Sequence, residues 1–243
     1  MEARDHKNLA QVLLALTDIH ASRLCKKAFI YGNIEPDKNP ATYLHGFTFG
    51  MKFHGHNYTN IQPTLQKLFS SLQNKSHFGV QEFYNLGKLS HYMADCFTFP
   101  HNELFTGTFS EHVEYESVLH QRMTTLLKKV PLPGSSSYNA ALKAQPIPQI
   151  ETKSRTDSSG GGTVLAKSAA PQQITYEFFE EMHRDYLREA GDQDTDCLYI
   201  FRAAACVLAM ALGKSTVTEI EWFPQNWSIG FQKEFLLNMN RAQ

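Results

Sequence analysis

Two histidine–carboxylate pairs, each at four-residue spacing and parted by a proline corner, constrain this chain more than any other feature. His91 precedes Asp95 by four positions, His101 follows Pro100, and His112 precedes Glu116 by four, giving the pattern H-x3-D-x5-H-x10-H-x3-E. On a helix, side chains four apart lie over one another on the same face and can reach one ion. The flanking residues have helical periodicity. Phe83, Leu86, Leu89 and Met93 predict a helix from about Gln81 to Phe97 that stops near Pro100, and Thr108-x-x-Glu111 is a capping box opening another through about Lys128. Nitrogen and carboxylate donors without thiolate suit Zn²⁺ in a hydrolytic site, where one position stays open for water. The plainer alternative is a helix pair with ordinary caps and surface charge. Ten of the eleven histidines lie between His6 and His120, so the use of imidazole is concentrated in the first half.

The rest of the chain also reads as helices. Leu9, Val12, Leu13 and Leu16 form an amphipathic stripe for which Asp5 is a candidate cap, and Ile61, Leu65, Leu68, Phe69 and Leu72 form another. Between them, the run from Gly32 to Pro40 has two prolines and several turn formers and is expected to be a loop. Residues Pro131 to Gln173 are rich in Pro, Ser, Gly, Gln and Ala, with too few large apolar groups to offset the entropy of ordering; they predict a flexible insertion. Helical pattern resumes at Tyr176–Glu189 and at about Thr195–Leu212, with Gly213 placed to end it and a further helix expected near Gln232–Asn238. No strand alternation and no repeat is visible. The expected fold is all-α, with a helical core over 1–130, the flexible linker over 131–173, and C-terminal helices over 174–243 packing on the core.

Composition narrows the function. A net charge of −1 argues against a broad phosphate-binding surface and so against nucleic acid as the partner. No apolar run is long enough to span a bilayer, and the opening residues lack the apolar stretch of a signal peptide, so a cytoplasmic or peripheral membrane location is expected. The four cysteines, Cys25, Cys96, Cys197 and Cys206, are widely spaced and read as reduced thiols.

Leu86 to Asp95, then Pro100-His101, then His112-x-x-x-Glu116, resembles the metal-binding core of zinc-dependent phospholipase C, to which the single-strand-specific zinc nucleases are distantly similar. The resemblance extends upstream. Gly32 to Asp37 resembles the segment of the family's early aspartate, and Phe53-His54-Gly55-His56 resembles its Phe-x-x-His and nominates His56. His6 matches the N-terminal histidine. His54, two residues away, and His45, eight past Asp37, are the rivals of His56. His20, His77, His120 and His183 lack a patterned partner.

The resemblance implies a helical phospholipase C/zinc nuclease-like bundle binding two to three Zn²⁺ ions. Asp37, His56, His91 and Asp95 would hold one, His101, His112 and Glu116 a second, and His6 would contribute to a third with Asp95 as a bridge. Asp37 would be the general base. Clustered Zn²⁺ ions lower the pKa of bound water toward about 7 and clamp phosphoryl oxygens, as cleavage of an anionic phosphodiester demands. Two departures stand out. The secreted enzymes ligate the third zinc through an N-terminal tryptophan, whereas this chain has Met1, with tryptophan only at Trp222 and Trp227. The third position would therefore rely on the Met1 amine or water. Lys38 also follows Asp37 where the choline-specific enzymes carry an aromatic, and a lysine is a poor neighbour for a quaternary ammonium. The implied activity is phospholipase C-like hydrolysis of a glycerophospholipid at a membrane surface, giving diacylglycerol and a phosphorylated head group. The alternatives are a zinc phosphodiesterase or nuclease on a soluble substrate, and a metal-stabilised interaction domain without activity.

Overall fold

A computed structural model describes residues 1–16, 21–39, 56–73, 75, 77–129 and 174–211. The insertion expected over 131–173, the tail with both tryptophans, Gly213, and His20, His45 and His54 lie outside the described residues. Those residues form seven α-helices: α1 (Ala3–Leu16), α2 (Arg23–Lys38), α3 (Tyr58–Leu72), α4 (Val80–Cys96), α5 (Phe109–Lys129), α6 (Tyr176–Glu189) and α7 (Gln193–Ala211). A single 3-10 turn, Phe99–His101, joins α4 toward α5. No strand occurs among the described residues, and the fold is all-α.

Helix α4 is the axis of the bundle. From Ser90 to Cys96 every residue is buried, and α1, α2, α3 and α7 all pack against it. The capping box expected at Thr108 forms. Thr108 Oγ1 accepts from the Glu111 N–H, while the Glu111 carboxylate accepts from the Thr108 N–H at 2.6 Å, closing the capping box that starts α5. The Asn57 side chain accepts from Thr59 N–H at 3.0 Å and starts α3, so that His56 is presented at the edge of that helix. Behind the α4–α5 corner, Phe97 is fully buried among the rings of Phe179, Tyr186 and Tyr199, with centroids 5.3 to 5.6 Å away.

Two local expectations are corrected. Asp5 does not cap α1: the helix begins at Ala3, and Asp5 is buried within its first turn, where its carboxylate meets His120 Nδ1 of α5 at 2.5 Å. Nor is the run from Gly32 a loop. Helix α2 continues through Pro36 to Lys38. A proline inside a helix removes the bond to the carbonyl four residues back, a penalty of about 3 kcal/mol, and here that carbonyl belongs to Gly32. Tertiary packing outweighs the loss, because Cys25, Phe29, Gly32, Asn33, Glu35 and Pro36 are all buried. Glu35 also reaches Lys88 of α4 at 3.3 Å.

The α2–α4 crossing depends on two glycines that face each other. A Cβ on Gly32 would stand 2.2 Å from the Tyr84 carbonyl oxygen, and one on Gly87 would stand 2.2 Å from the Phe29 carbonyl oxygen. Backbone cannot yield as a flexible side chain does, so any side chain here forces the helices apart. Gly87→Ala is expected to destabilise the protein by about 3 kcal/mol, at the upper end for overpacked interiors. Urea unfolding would measure it, and a change below about 0.5 kcal/mol, the size usual for an innocuous surface substitution, would refute the close-approach account.

Candidate metal centre

Six elements of the chain bring their donors together at the buried end of α4. Helix α2 supplies Asp37 one turn after its glycine crossing, the start of α3 supplies His56, and α4 supplies His91 and Asp95 on one face. The 3-10 turn supplies His101, and α5 supplies His112 and Glu116. Helix α1 adds His6, which is fully buried.

Asp95 is the hub. Its Oδ2 lies 3.0 Å from His56 Nδ1, 3.2 Å from His91 Nε2 and 3.8 Å from His101 Nδ1. Its Oδ1 faces the other way, 3.1 Å from His6 Nε2 and 3.2 Å from the Met1 α-amino nitrogen. Asp37 Oδ1 stands 3.6 Å from His56 Nδ1 and 3.7 Å from His91 Nε2, at the less buried edge of this set. A second set gathers on Glu116 Oε1, with His101 Nε2 at 3.0 Å, His112 Nε2 at 3.3 Å and the Met1 amine at 2.8 Å. Two groups thus bring donor atoms within 4.8 Å of one another, as a shared ion would require: Asp37, His56, His91 and Asp95, and His101, His112 and Glu116. All eight residues expected from the sequence lie in these groups or, for His6, against Asp95 of the first.

The donor chemistry fits a divalent cation. His91 Nδ1 lies 2.9 Å from the Asn33 carbonyl oxygen, which can only accept, so Nδ1 carries the proton. In the neutral ring the Nε2 lone pair then points at the donors of the first group. This is the usual way a ligating imidazole is oriented from its far side, and the glycine crossing is what brings Asn33 of α2 close enough to α4 to do it. His6 Nδ1 and His101 Nδ1 are buried with no hydrogen-bond partner among the described residues.

Electrostatics favours ionised carboxylates at Asp95 and Glu116 and neutral imidazoles at His6 and His101. Burial pushes the Asp95 carboxyl up, but the Met1 ammonium and the surrounding imidazoles outweigh it and hold the group well below the usual carboxylate range. Glu116 is likewise held low, burial being outweighed by the Met1 ammonium and by His101 and His112. Burial, with His91 beside it, pushes His6 down to about 4, and burial with the Met1 ammonium lowers His101. His91 moves upward instead, because Asp95 outweighs its burial. Ionised carboxylates beside readily deprotonated imidazoles are the forms that bind metal.

The structure adds residues that sequence reasoning left aside. Glu2, Asp5 and His120 form a third acidic and imidazole group. The signal for His120 was its position four residues after Glu116, which continues the His112–Glu116 face of α5. Asn33 carried no signal, since it contributes a backbone carbonyl. The Met1 α-amino group is fully buried between Asp95 and Glu116, whose charges outweigh burial and raise its pKa to about 11. Lys38 is exposed beyond Asp37. The cysteines are free and buried, and no described helix is long and apolar enough to cross a membrane.

The family model for zinc dependent phospholipase C matches residues 5–191. No curated protein and no solved structure shows a significant match. The matched stretch holds all eight residues expected from the sequence to surround metal, together with α1 from Asp5 onward and helices α2 to α6. The chain belongs to the zinc dependent phospholipase C family.

Proposed function

We propose that this protein hydrolyses the phosphodiester of a glycerophospholipid, releasing diacylglycerol and a phosphorylated head group. The observation that carries the reading is a pair of metal-capable groups lying side by side, with His101 of the second 3.8 Å from Asp95 of the first, in a chain of this family. When bound, zinc supplies Lewis acidity toward the phosphoryl oxygens and lowers the pKa of its water. Asp37, His56, His91 and Asp95 would hold one ion, His101, His112 and Glu116 a second, and His6 with the Met1 amine would complete a third position on Asp95. Asp37 sits at the solvent-facing edge of the first group and takes the proton of the attacking water. The water oxygen forms the new bond to phosphorus, the bond from phosphorus to the glycerol oxygen breaks, and that oxygen leaves with a proton as diacylglycerol.

An apolar rim beside the second group favours a lipid over a soluble substrate. Phe109 is 83 % exposed and Val113, one turn on, is 51 % exposed. They flank His112 on α5, with the Phe109 ring centroid 6.4 Å from that of His112. Leu104, just before α5, is 55 % exposed. Large apolar side chains left in water next to a reaction centre mark a surface that meets apolar material. The protein is expected to release diacylglycerol from phospholipid vesicles and to leave single-stranded nucleic acid intact. Phe109→Ser with Val113→Ser is expected to lower the vesicle rate about tenfold, in keeping with the loss of at least 1.4 kcal/mol of apolar burial, while a short-chain monomeric phospholipid is cleaved as before. Cleavage of nucleic acid without lipid would replace the substrate, and full zinc occupancy with turnover of neither would leave an interaction domain.

A further inference from the structure

The corner that carries His101 is held from behind by helices that lie on the far side of the insertion. His101 sits in a short turn with one backbone bond of its own, from His101 N–H to the Thr98 carbonyl at 2.9 Å. On one side, the buried Asp196 carboxylate of α7 accepts the Phe99 N–H at 2.9 Å through Oδ2 and the Tyr186 hydroxyl of α6 at 2.7 Å through Oδ1. On the other side, buried Asn102 donates to the carbonyls of Cys96 and Thr98, both at 3.0 Å, and accepts at 2.8 Å from Nε2 of buried His183 on α6. The side chains of Asp196, Tyr186, Asn102 and His183 are nearly or wholly inaccessible to water. Its base is fixed too, since Arg122 of α5 holds Asp194 at the start of α7 with a 2.8 Å bond from Nη2.

We propose that Asp196 and His183 are positioning residues which clamp the 97–102 corner on both sides of His101 and so set how tightly that imidazole, with His112 and Glu116, holds a divalent cation. The inference rests on the zinc-centre reading above. A buried carboxylate is disfavoured unless donors meet it, and one of the donors that Asp196 meets is a backbone N–H two residues before a ligand. Asp196 also lies past residue 191, where the family match ends. The cation position is thus tied to a part of the chain beyond the matched stretch. Neither residue reaches the donor set itself, so each acts through the turn.

The test loads the full chain with Zn²⁺ or Co²⁺ alone and titrates it with a chelator, following metal retained per chain and the visible absorption of bound Co²⁺. His112→Ala identifies which ion belongs to the second group. Asp196→Ala and His183→Ala are expected to weaken that same ion about 10- to 100-fold and change its Co²⁺ spectrum, as the loss of outer partners of ligands does, while other bound metal is retained. Asp196→Asn keeps an acceptor oxygen for Phe99 and is expected to stay within about threefold of the parent chain. Met182→Ala, which removes a buried apolar side chain of α6 and none of these hydrogen bonds, separates positioning from general loosening and should leave metal affinity unchanged. Unaltered affinity in both alanine variants, parallel loss of all metal, or an equal loss in Met182→Ala would overturn the proposal. Should Asp196→Ala fail to fold, Tyr186→Phe removes only the hydroxyl that steadies the carboxylate; a weakening of about threefold or more supports the clamp and none refutes it. Absence of metal binding by the parent chain would instead sink the zinc-centre reading itself.

Discussion

Asp95→Ala is expected to strip zinc from the protein and to lower its thermal midpoint even before metal is considered. The carboxylate faces five nitrogens, those of Met1, His6, His56, His91 and His101, at 3.0 to 3.8 Å. With zinc bound it would serve both the first group and the third position, so its removal weakens those two together. Without zinc it is the counter-charge of a buried ammonium, and stranding a buried charge costs about 3–5 kcal/mol. For a chain of this length that corresponds to a fall of roughly 10 °C or more. Elemental analysis for zinc per chain, with a thermal melt in excess chelator, separates the two contributions. His91→Ala should lose zinc in the same assay. Unchanged zinc content in both variants would remove these residues from the metal centre.

Asp37→Asn should do the opposite: retain most of the zinc and lose turnover, by about 10²- to 10⁴-fold if Asp37 is the general base. Asparagine keeps the shape and one oxygen toward the metal but cannot accept the proton of water at neutral pH. Asp37 suits this division because it stands at 3.6 to 3.7 Å from His56 and His91 rather than within the tighter contacts around Asp95. The check is kcat on phospholipid vesicles beside zinc content. Activity within a few-fold of the parent chain would exclude the base role, and zinc lost in step with activity would leave Asp37 a ligand alone.

What could be read along the chain was whatever is local. The pairs His91/Asp95 and His112/Glu116 were legible because helical periodicity places residues four apart on one face. The capping box at Thr108 and the limits of the helix from Tyr176 to Glu189 were legible for the same reason, since caps and stripes are short-range. The Gly32–Pro40 run misled because its composition describes a turn, whereas burial against α4 makes it a helix; local propensity is a weak prior against that much packing. Asn33, His183 and Asp196 gave no usable sign, because each matters through a partner between 58 and 97 residues away in sequence.

Readable from the residues alone were the helical class, the pairing of histidine and carboxylate on two successive helices, and the family pattern those pairs follow. That the two pairs come together, on either side of His101 and the Met1 amine, is settled by how the helices pack. That depends on α2 and α4 touching backbone to backbone at Gly32 and Gly87, on α1 delivering His6 to Asp95, and on α6 and α7 holding the turn of His101. The reason is physical. Periodicity fixes the direction of a side chain about its own helix axis, but not which axes cross or how closely. Those are set by which surfaces pack without clash and which buried polar groups find partners in distant parts of the chain.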